Sequence, residues 1–348
     1  MYYYSNEIVF RGHPDKVCDQ ISDALVDEYL KQDKYSRCGI EVVGGKHTIF
    51  ITGEVTSLGY VDVEKITKQV LLDIGYNNNF KIINNIGRQS RDIALGVDAG
   101  GAGDQGMMFG YACRDTSVYL PKAMVILQDF SRVYDELRKN SKNFLPDGKA
   151  QITGIYNTDR ELIAIKDFTI SYQNLELNRD ETDDILKKIA IEICLKYGIT
   201  HIENFHINPT GKFLIGGFDG DAGLTGRKIV VDNYQSFANV GGGAFSGKDC
   251  TKVDRSGAYK ARQLAIRFLN ENPNVNWCEV QLSYAIGLKK PLGIYITTNK
   301  GLIEEIPNSM FEECQPQQII SDLKLLEQSF YETAKFGHFG NPQFSWEF

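Results

Sequence analysis

Residues 97–113 read VDAGGAGDQGMMFGYAC, and the order of the two halves of this stretch decides between fold classes. Gly101, Gly103 and Gly106 fit the pattern GxGxxG to the letter. A dinucleotide-binding crossover places a strand before such a loop and a helix after it. Here a glycine-rich loop leads, and the apolar, strand-like run MMFGYAC follows. The context is inverted, so a doubly wound nucleotide fold is not expected. The glycines instead allow close backbone approach to a ligand, or a mobile loop.

Working outward, periodicity places about six long helices, two in each third of the chain. Pro14 suits a first helical position, and Ile21, Leu25 and Tyr29 continue that helix to about Asp33. The sequences IEVV and HTIFITGEVT flank Gly44-Gly45 as a hairpin. Further helices are predicted over 62–74, 121–139, 182–197, 254–270 and 319–331. Strands are predicted for GKAQITGIYN, ELIAIKDFTISYQ, WCEVQLSYAIG and LGIYITT. This element order predicts an α+β protein of three similar units, with helices packed on mostly antiparallel sheets. No sequence repeat and no low-complexity linker separates the thirds.

The composition narrows the function. The chain has 348 residues, a net charge of −7, 42 % hydrophobic and 24 % charged residues. That is a folded chain of two or three domains, and its acidity argues against a general nucleic-acid binder. No apolar run is long enough to span a membrane, and the start MYYYSNEIVFRG lacks a signal-peptide pattern. Seven widely spaced cysteines without a CxxC, and five scattered histidines, read as reduced cytoplasmic thiols with no zinc site. A metal, if used, would be a hard cation on carboxylates.

Four further motifs gather charge beside glycines. GHPDK at 12–16 opens the first helix, where an N-terminus favours anions. Asp15 could hold Mg²⁺ while His13 and Lys16 face phosphate; alternatively these residues only cap the helix. GDAGLTGRK at 220–228 puts Asp221, Arg227 and Lys228 on a loop leading into the predicted strand IVVD. GGAFSGKD at 242–249 fits GxxxxGK, but Asp249 stands where a P-loop needs a metal-binding hydroxyl. Lys252, Asp254 and Arg255 then open a long helix, either as caps or as an extension of a phosphate site.

Taken together these motifs resemble the S-adenosylmethionine synthetase (methionine adenosyltransferase) family. GAGDQG stands at 101–106 and GGGAFSGKD at 241–249. GHPDK, DQISDA at 19–24, FxINPTG at 205–211, GLTGRK at 223–228, KVDRS at 252–256 and GHFG at 337–340 are collinear with them. The similarity runs from about Ile8 to Trp346. It implies three interlaced α+β domains with pseudo-threefold symmetry, placed at 1–99, 100–217 and 218–348. It also implies a homodimer or homotetramer with active sites between subunits. The implied reaction joins the sulfur of L-methionine to C5′ of ATP, expels triphosphate, and cleaves that to pyrophosphate and phosphate. A thioether is already nucleophilic, so no general base is required; cations facing the leaving group are.

By motif match, the resemblance assigns Asp15 and Asp254 to Mg²⁺ and Glu41 to K⁺. Glu54, Gln89, Asp221 and Lys252 fall to methionine. His13, Asp104, Asp147, Lys149, Lys212, Phe213, Asp221, Arg227, Lys228, Ala244 and Lys248 fall to ATP, with His13, Lys149, Arg227, Lys228 and Lys248 facing the triphosphate. Three features depart from the family pattern. Arg11 replaces a usual glutamate and is expected to add positive charge near the phosphates. The stretch between Gln89 and Gly101 is short for a gating loop. The chain ends at Phe348, where many relatives continue, and the tail they add is expected to be peripheral. A non-catalytic nucleotide-binding relative and a P-loop phosphotransferase are the competing classes.

Overall fold

A computed structural model describes residues 1–88, 100–175 and 179–348. Three four-stranded sheets form the frame. The first contains β1 (Tyr2–Val9), β6 (Phe144–Tyr156), β7 (Leu162–Asn174) and β8 (Ile202–Ile207), in that order. The second is ordered β4 (Lys81–Gly87), β3 (Thr48–Thr56), β2 (Arg37–Gly45), β9 (Gly223–Leu224). The third is ordered β12 (Gly301–Ile303), β11 (Gly293–Thr298), β10 (Trp277–Tyr284), β5 (Gly106–Cys113).

The order repeats three times. Each sheet has a central hairpin, β2–β3, β6–β7 or β10–β11. A long helix precedes each hairpin: α1 (Pro14–Gln32), α3 (Lys122–Asn140) and α6 (Val253–Glu271). Helices α2 (Val63–Ile74) and α4 (Arg179–Lys196) follow the first two and return the chain to a parallel edge strand. The other edge of each hairpin is covered by a strand from another third, since β1 pairs with β6, β5 with β10 and β9 with β2. The three units are therefore interlaced in a cycle, and the sheets are mostly antiparallel as expected.

Local sequence explains the elements that carry the site. α1 starts at Pro14, with His13 as N-cap accepting from the Asp15 amide through its side chain at 3.2 Å. Its residues are buried nearly all round, because α2, β2, β9 and the C-terminal helix α9 (Phe330–Phe336) surround it. α6 lies so close to β5 that a Cβ on Gly110 would fall 2.0 Å from the carbonyl carbon of Ala261. Glycine is required there by close approach.

Two elements differ from expectation. Ile229–Asp232 is a short helix (α5), not a strand; the chain turns at Gly226, with φ of 80°, and coils back onto Lys16. Residues 319–331 are not one helix. After α7 (Asn308–Glu313), α8 (Pro316–Asp322) ends, Lys324 turns left-handed with φ of 47°, and α9 begins only at Phe330. Near the chain end, Trp346 is fully buried and stacks on Tyr259 of α6 at 3.8 Å between ring centroids. Among the described residues no helix is long and apolar enough to cross a membrane.

Candidate functional site

The N-terminal turn of α1 is the floor of the site. Asp15 is 2 % exposed and accepts from the Leu224 amide at 3.0 Å. Lys228 places its ammonium on the other carboxylate oxygen, and Arg227 Nε lies 3.7 Å from Asp15. Asp19, one turn on, accepts from the Gly226 amide at 2.8 Å. Two acids of one helix face thus pin the loop 223–228 and aim its two cations across the helix start. Lys16 is turned towards buried acids. It is buried, bonded to Asp232 at 2.7 Å and 3.5 Å from Asp19. Burial works against its charge, but the two carboxylates outweigh that and raise the ammonium. Lys16 therefore fixes α5 and does not face a phosphate.

A cavity of about 240 Å³ opens beside this turn, lined by His13, Asp147, Lys149, Ser171, Phe213 and Asp221 among others. Burial, with the positive charges of Lys228 and Lys149 against the pull of Asp15 and Asp221, pushes the His13 imidazole down to about 4. His13 is neutral at physiological pH and can offer a hydrogen bond without adding charge. Burial pushes Asp147 up to about 6, although the Gly217 amide donates to it at 2.7 Å. Lys149 and Lys212 are exposed, and Phe213 is half-buried at the mouth.

A second set of residues lies along β2. The segment 247–249 runs beside Cys38–Ile40: the Ile40 amide donates to the Gly247 carbonyl, and Lys248 bridges to Gly39. Asp249 is fully buried and accepts from the Cys38 amide at 2.7 Å, from Thr251, and from Lys252. Burial is opposed by Lys252, which holds the carboxyl below its ordinary value. Asp249 is an anchor of the loop, which explains why it stands where a P-loop would carry a hydroxyl. Lys248 pairs with Asp254, and a Cβ on Gly243 would collide with that carboxylate at 2.1 Å. Glu41 and Glu54 face Lys248 from the sheet; burial raises the Glu41 carboxyl, Lys248 opposes this, and Glu54 adds to it.

The structure thus brings the candidate residues together in two groups. His13, Asp15, Asp147, Lys149, Phe213, Asp221, Arg227 and Lys228 form one; Glu41, Glu54, Lys248, Lys252 and Asp254 form the other. Ala244 touches the wall between them, since a Cβ on Gly226 would lie 2.6 Å from its own. Asp104 is exposed at the start of β5, two residues before Gly106, which faces Asp254. Gln89 and most of the short stretch before Gly101 lie outside the described residues. Arg11 does not reach the phosphates. It is buried and bonded to Gln20, Asp73, Asp135 and Tyr331, tying α1 to α2, α3 and α9.

Sequence reasoning missed Asp19, Asp23 and Asp232. Asp23 bonds Arg255 through both oxygens at 2.7 Å and also accepts the Gly247 amide at 2.9 Å. Their spacing of four on α1 was a signal that Asp15, Asp19 and Asp23 share one face.

The fold is an interlaced three-unit α+β frame that gathers cations over a helix start and glycine loops, places where backbone amides favour anions. Three family models cover the chain in sequence. They are the S-adenosylmethionine synthetase N-terminal domain over residues 1–91, the central domain over 99–213 and the C-terminal domain over 215–348. An S-adenosylmethionine synthase of Clostridium tetani (strain Massachusetts / E88) is 40 % identical, with 99 % of this chain and 96 % of the relative covered. The chain belongs to the S-adenosylmethionine synthetase family, the methionine adenosyltransferases, which make S-adenosylmethionine from methionine and ATP.

Proposed function

We propose that the two residue groups are the halves of one active site for S-adenosylmethionine synthesis, completed between two copies of the chain. The observation that carries this reading is that each group pairs one lysine with a carboxylate, Lys228 with Asp15 and Lys248 with Asp254. Each pair is a cation and a metal ligand waiting for a shared polyanion. The charges that act on His13 are Lys228, Asp15, Lys149 and Asp221; those on Glu41 are Lys248 and Glu54. On this reading one group of each copy meets the other group of its partner, in a homodimer or a pair of dimers.

The methionine sulfur attacks C5′ of ATP. The S–C bond forms as the C5′–O bond breaks, leaving a sulfonium and free triphosphate. Lys149, Arg227, Lys228 and Lys248 stabilise the departing charge, and neutral His13 donates to a phosphate oxygen. Glu54, Gln89, Asp221 and Lys252 hold the amino acid, with Asp221 and Lys252 matching its ammonium and carboxylate. Asp104, Asp147, Lys212, Phe213 and Ala244 hold the nucleotide. The same cations then retain triphosphate while water cleaves it to pyrophosphate and phosphate.

Among the described residues no group of three or more His, Cys, Asp or Glu could hold a metal by itself. That donor set fits Mg²⁺, which takes one or two carboxylates and completes its shell with phosphates and water. Asp15 and Asp254 would each hold one ion, and Glu41 a K⁺. Bound there, the cations supply charge neutralisation at the phosphate oxygens. Seven buried free cysteines support a reducing, cytoplasmic setting. We place the three domains at 1–99, 100–217 and 218–348, each lending its first strand to another. Incubation with ATP, L-methionine, Mg²⁺ and K⁺, followed by mass spectrometry and phosphate release, tests the reading. S-adenosylmethionine with matching pyrophosphate and phosphate is expected; ATP left intact overturns it.

A further inference from the structure

Four aspartates of α1 stand four residues apart, and each accepts a backbone amide from the last third of the chain. Asp15 takes Leu224 at 3.0 Å, Asp19 takes Gly226 at 2.8 Å, Asp23 takes Gly247 at 2.9 Å and Asp27 takes Phe330 at 2.8 Å. A stripe of acids along one helix thus fixes three separate segments. The first two hold the loop of Arg227 and Lys228. The third holds the loop of Lys248, and its own partner is a cation that the reaction does not otherwise use.

That cation is Arg255, in the first turn of α6 and next in sequence to Asp254. Neither Arg255 nor Asp23 is exposed. Arg255 Nη2 lies 2.7 Å from both Asp23 oxygens, and its Nη1 donates to the Lys248 carbonyl at 3.1 Å. Asp23 meanwhile accepts the Gly247 amide. The two members of one ion pair therefore grip the backbone on either side of the Gly247–Lys248 peptide. Gly247 has φ of 84°, and a Cβ there would fall 2.0 Å from the Ile40 carbonyl oxygen, so this backbone also lies hard against β2. The guanidinium rests on the Phe330 ring, 4.2 Å from its centroid, and Asp27 holds Phe330 through its amide.

A buried ion pair adds little net stability over a well-packed apolar pair of the same size. What an apolar pair cannot do is hold an amide and a carbonyl of one loop at once. We infer that Arg255, braced by Asp23 and Phe330, is a positioning residue for Lys248. It fixes the backbone from which that ammonium reaches the leaving group. Being fully buried, it meets no substrate itself. Asp23, Gly247, Lys248 and Arg255 belong to one copy and serve one of the two residue groups, so the clasp acts within a single half of the site. The inference rests on the assignment of Lys248 to triphosphate.

The test is a double-variant cycle on the full chain, with kcat taken per folded protein by circular dichroism. Arg255→Lys keeps the charge beside Asp23 but loses the fork that also reaches the Lys248 carbonyl. Its kcat should fall on the order of tenfold. With Lys248→Ala already present, adding Arg255→Lys should change kcat by less than about twofold, because the clasp then has nothing to aim. The methionine KM of the single variant should stay within about twofold, since Lys252 is held by Asp249 and not by the clasp. If Arg255→Lys does not fold, Phe330→Leu decides. It keeps both bonds, takes away the ring under the guanidinium, and should lower kcat about threefold, again only where Lys248 is present. An unchanged kcat in the single variant overturns the inference. So does an equal fall with and without Lys248, which would mark the ion pair as purely structural. Lys248→Ala that leaves kcat unaltered overturns the triphosphate assignment itself, and this inference with it.

Discussion

Lys248 and Asp254 form an ion pair across the start of α6, and each is the other's charged partner. On the proposed reading, a polyanion with its metal separates them. Lys248→Ala removes one charge-stabilising donor, so kcat should fall on the order of 10²-fold. Steady-state formation of S-adenosylmethionine measures this; a kcat within twofold of the unaltered enzyme would show that Lys248 does not face the leaving group.

The proposed completion of the site by two copies has a direct genetic consequence. Lys149→Ala damages one half and Lys248→Ala the other. In a mixed dimer, one site would carry both lesions and the other neither. After co-refolding equal amounts, activity should recover to roughly a quarter of the unaltered level, from half the dimers being mixed with one intact site each. Persistent inactivity of the mixture would place both halves in one copy.

Metal dependence should reside in single carboxylates. A chelator should abolish turnover, and added Mg²⁺ should restore it. Asp15→Asn should raise the Mg²⁺ needed for half-activity by on the order of tenfold or more. An unchanged Mg²⁺ titration would dissociate Asp15 from the metal.

Asp147 offers a pH signature in stability. Its folded value, about 6, lies above the ordinary 3.8 because burial disfavours the charge. A raised carboxyl contributes stability that is complete below the unfolded value and is lost as pH rises through the folded one. The unaltered protein should therefore lose this contribution between about pH 4 and pH 6. Asp147→Asn, which keeps an acceptor for the Gly217 amide, should lose none of it. The difference in Tm between the two should grow in favour of the variant across that window; a constant difference would contradict the burial argument.

The chain end should be structurally costly to alter. Arg262 is fully buried, and its guanidinium meets Glu347 at 2.7 Å as well as three backbone carbonyls. Glu347→Ala leaves that charge without its carboxylate and should cost about 3 kcal/mol or more in urea unfolding. A loss below about 1 kcal/mol would show that water replaces the partner.

Much of this was legible in the sequence. Long helices announced themselves by apolar spacing, and the two glycine signatures stood in their stated contexts. Lys16 and Arg11 were misread for one reason: a cation beside a motif looks alike whether it faces a ligand or a buried acid. Only the fold shows Asp232 beside Lys16 and Asp73 beside Arg11. Ile229–Asp232 is rich in β-branched residues, but its hydrogen bonds back to Lys228 and Ile229 override that preference. The strands β1, β4 and β8 were overlooked because these sheet edges read YYYSNEIV, KIINNIG and IENFHI, runs rich in polar residues with no regular apolar alternation.

The cyclic lending of strands also bears on how the chain comes into being. On a ribosome, β1 emerges first but must wait more than 130 residues for β6, the strand it pairs with. The β2–β3 sheet stays open on one edge until Gly223 and Leu224 are made, and the last hairpin must find β5, left exposed since residue 113. Such long-range closures slow folding and leave strand edges uncovered in the meantime. Synthesis should therefore pass through a late, near-simultaneous locking of all three sheets, and truncation within the final third should release a chain whose earlier parts are also incomplete.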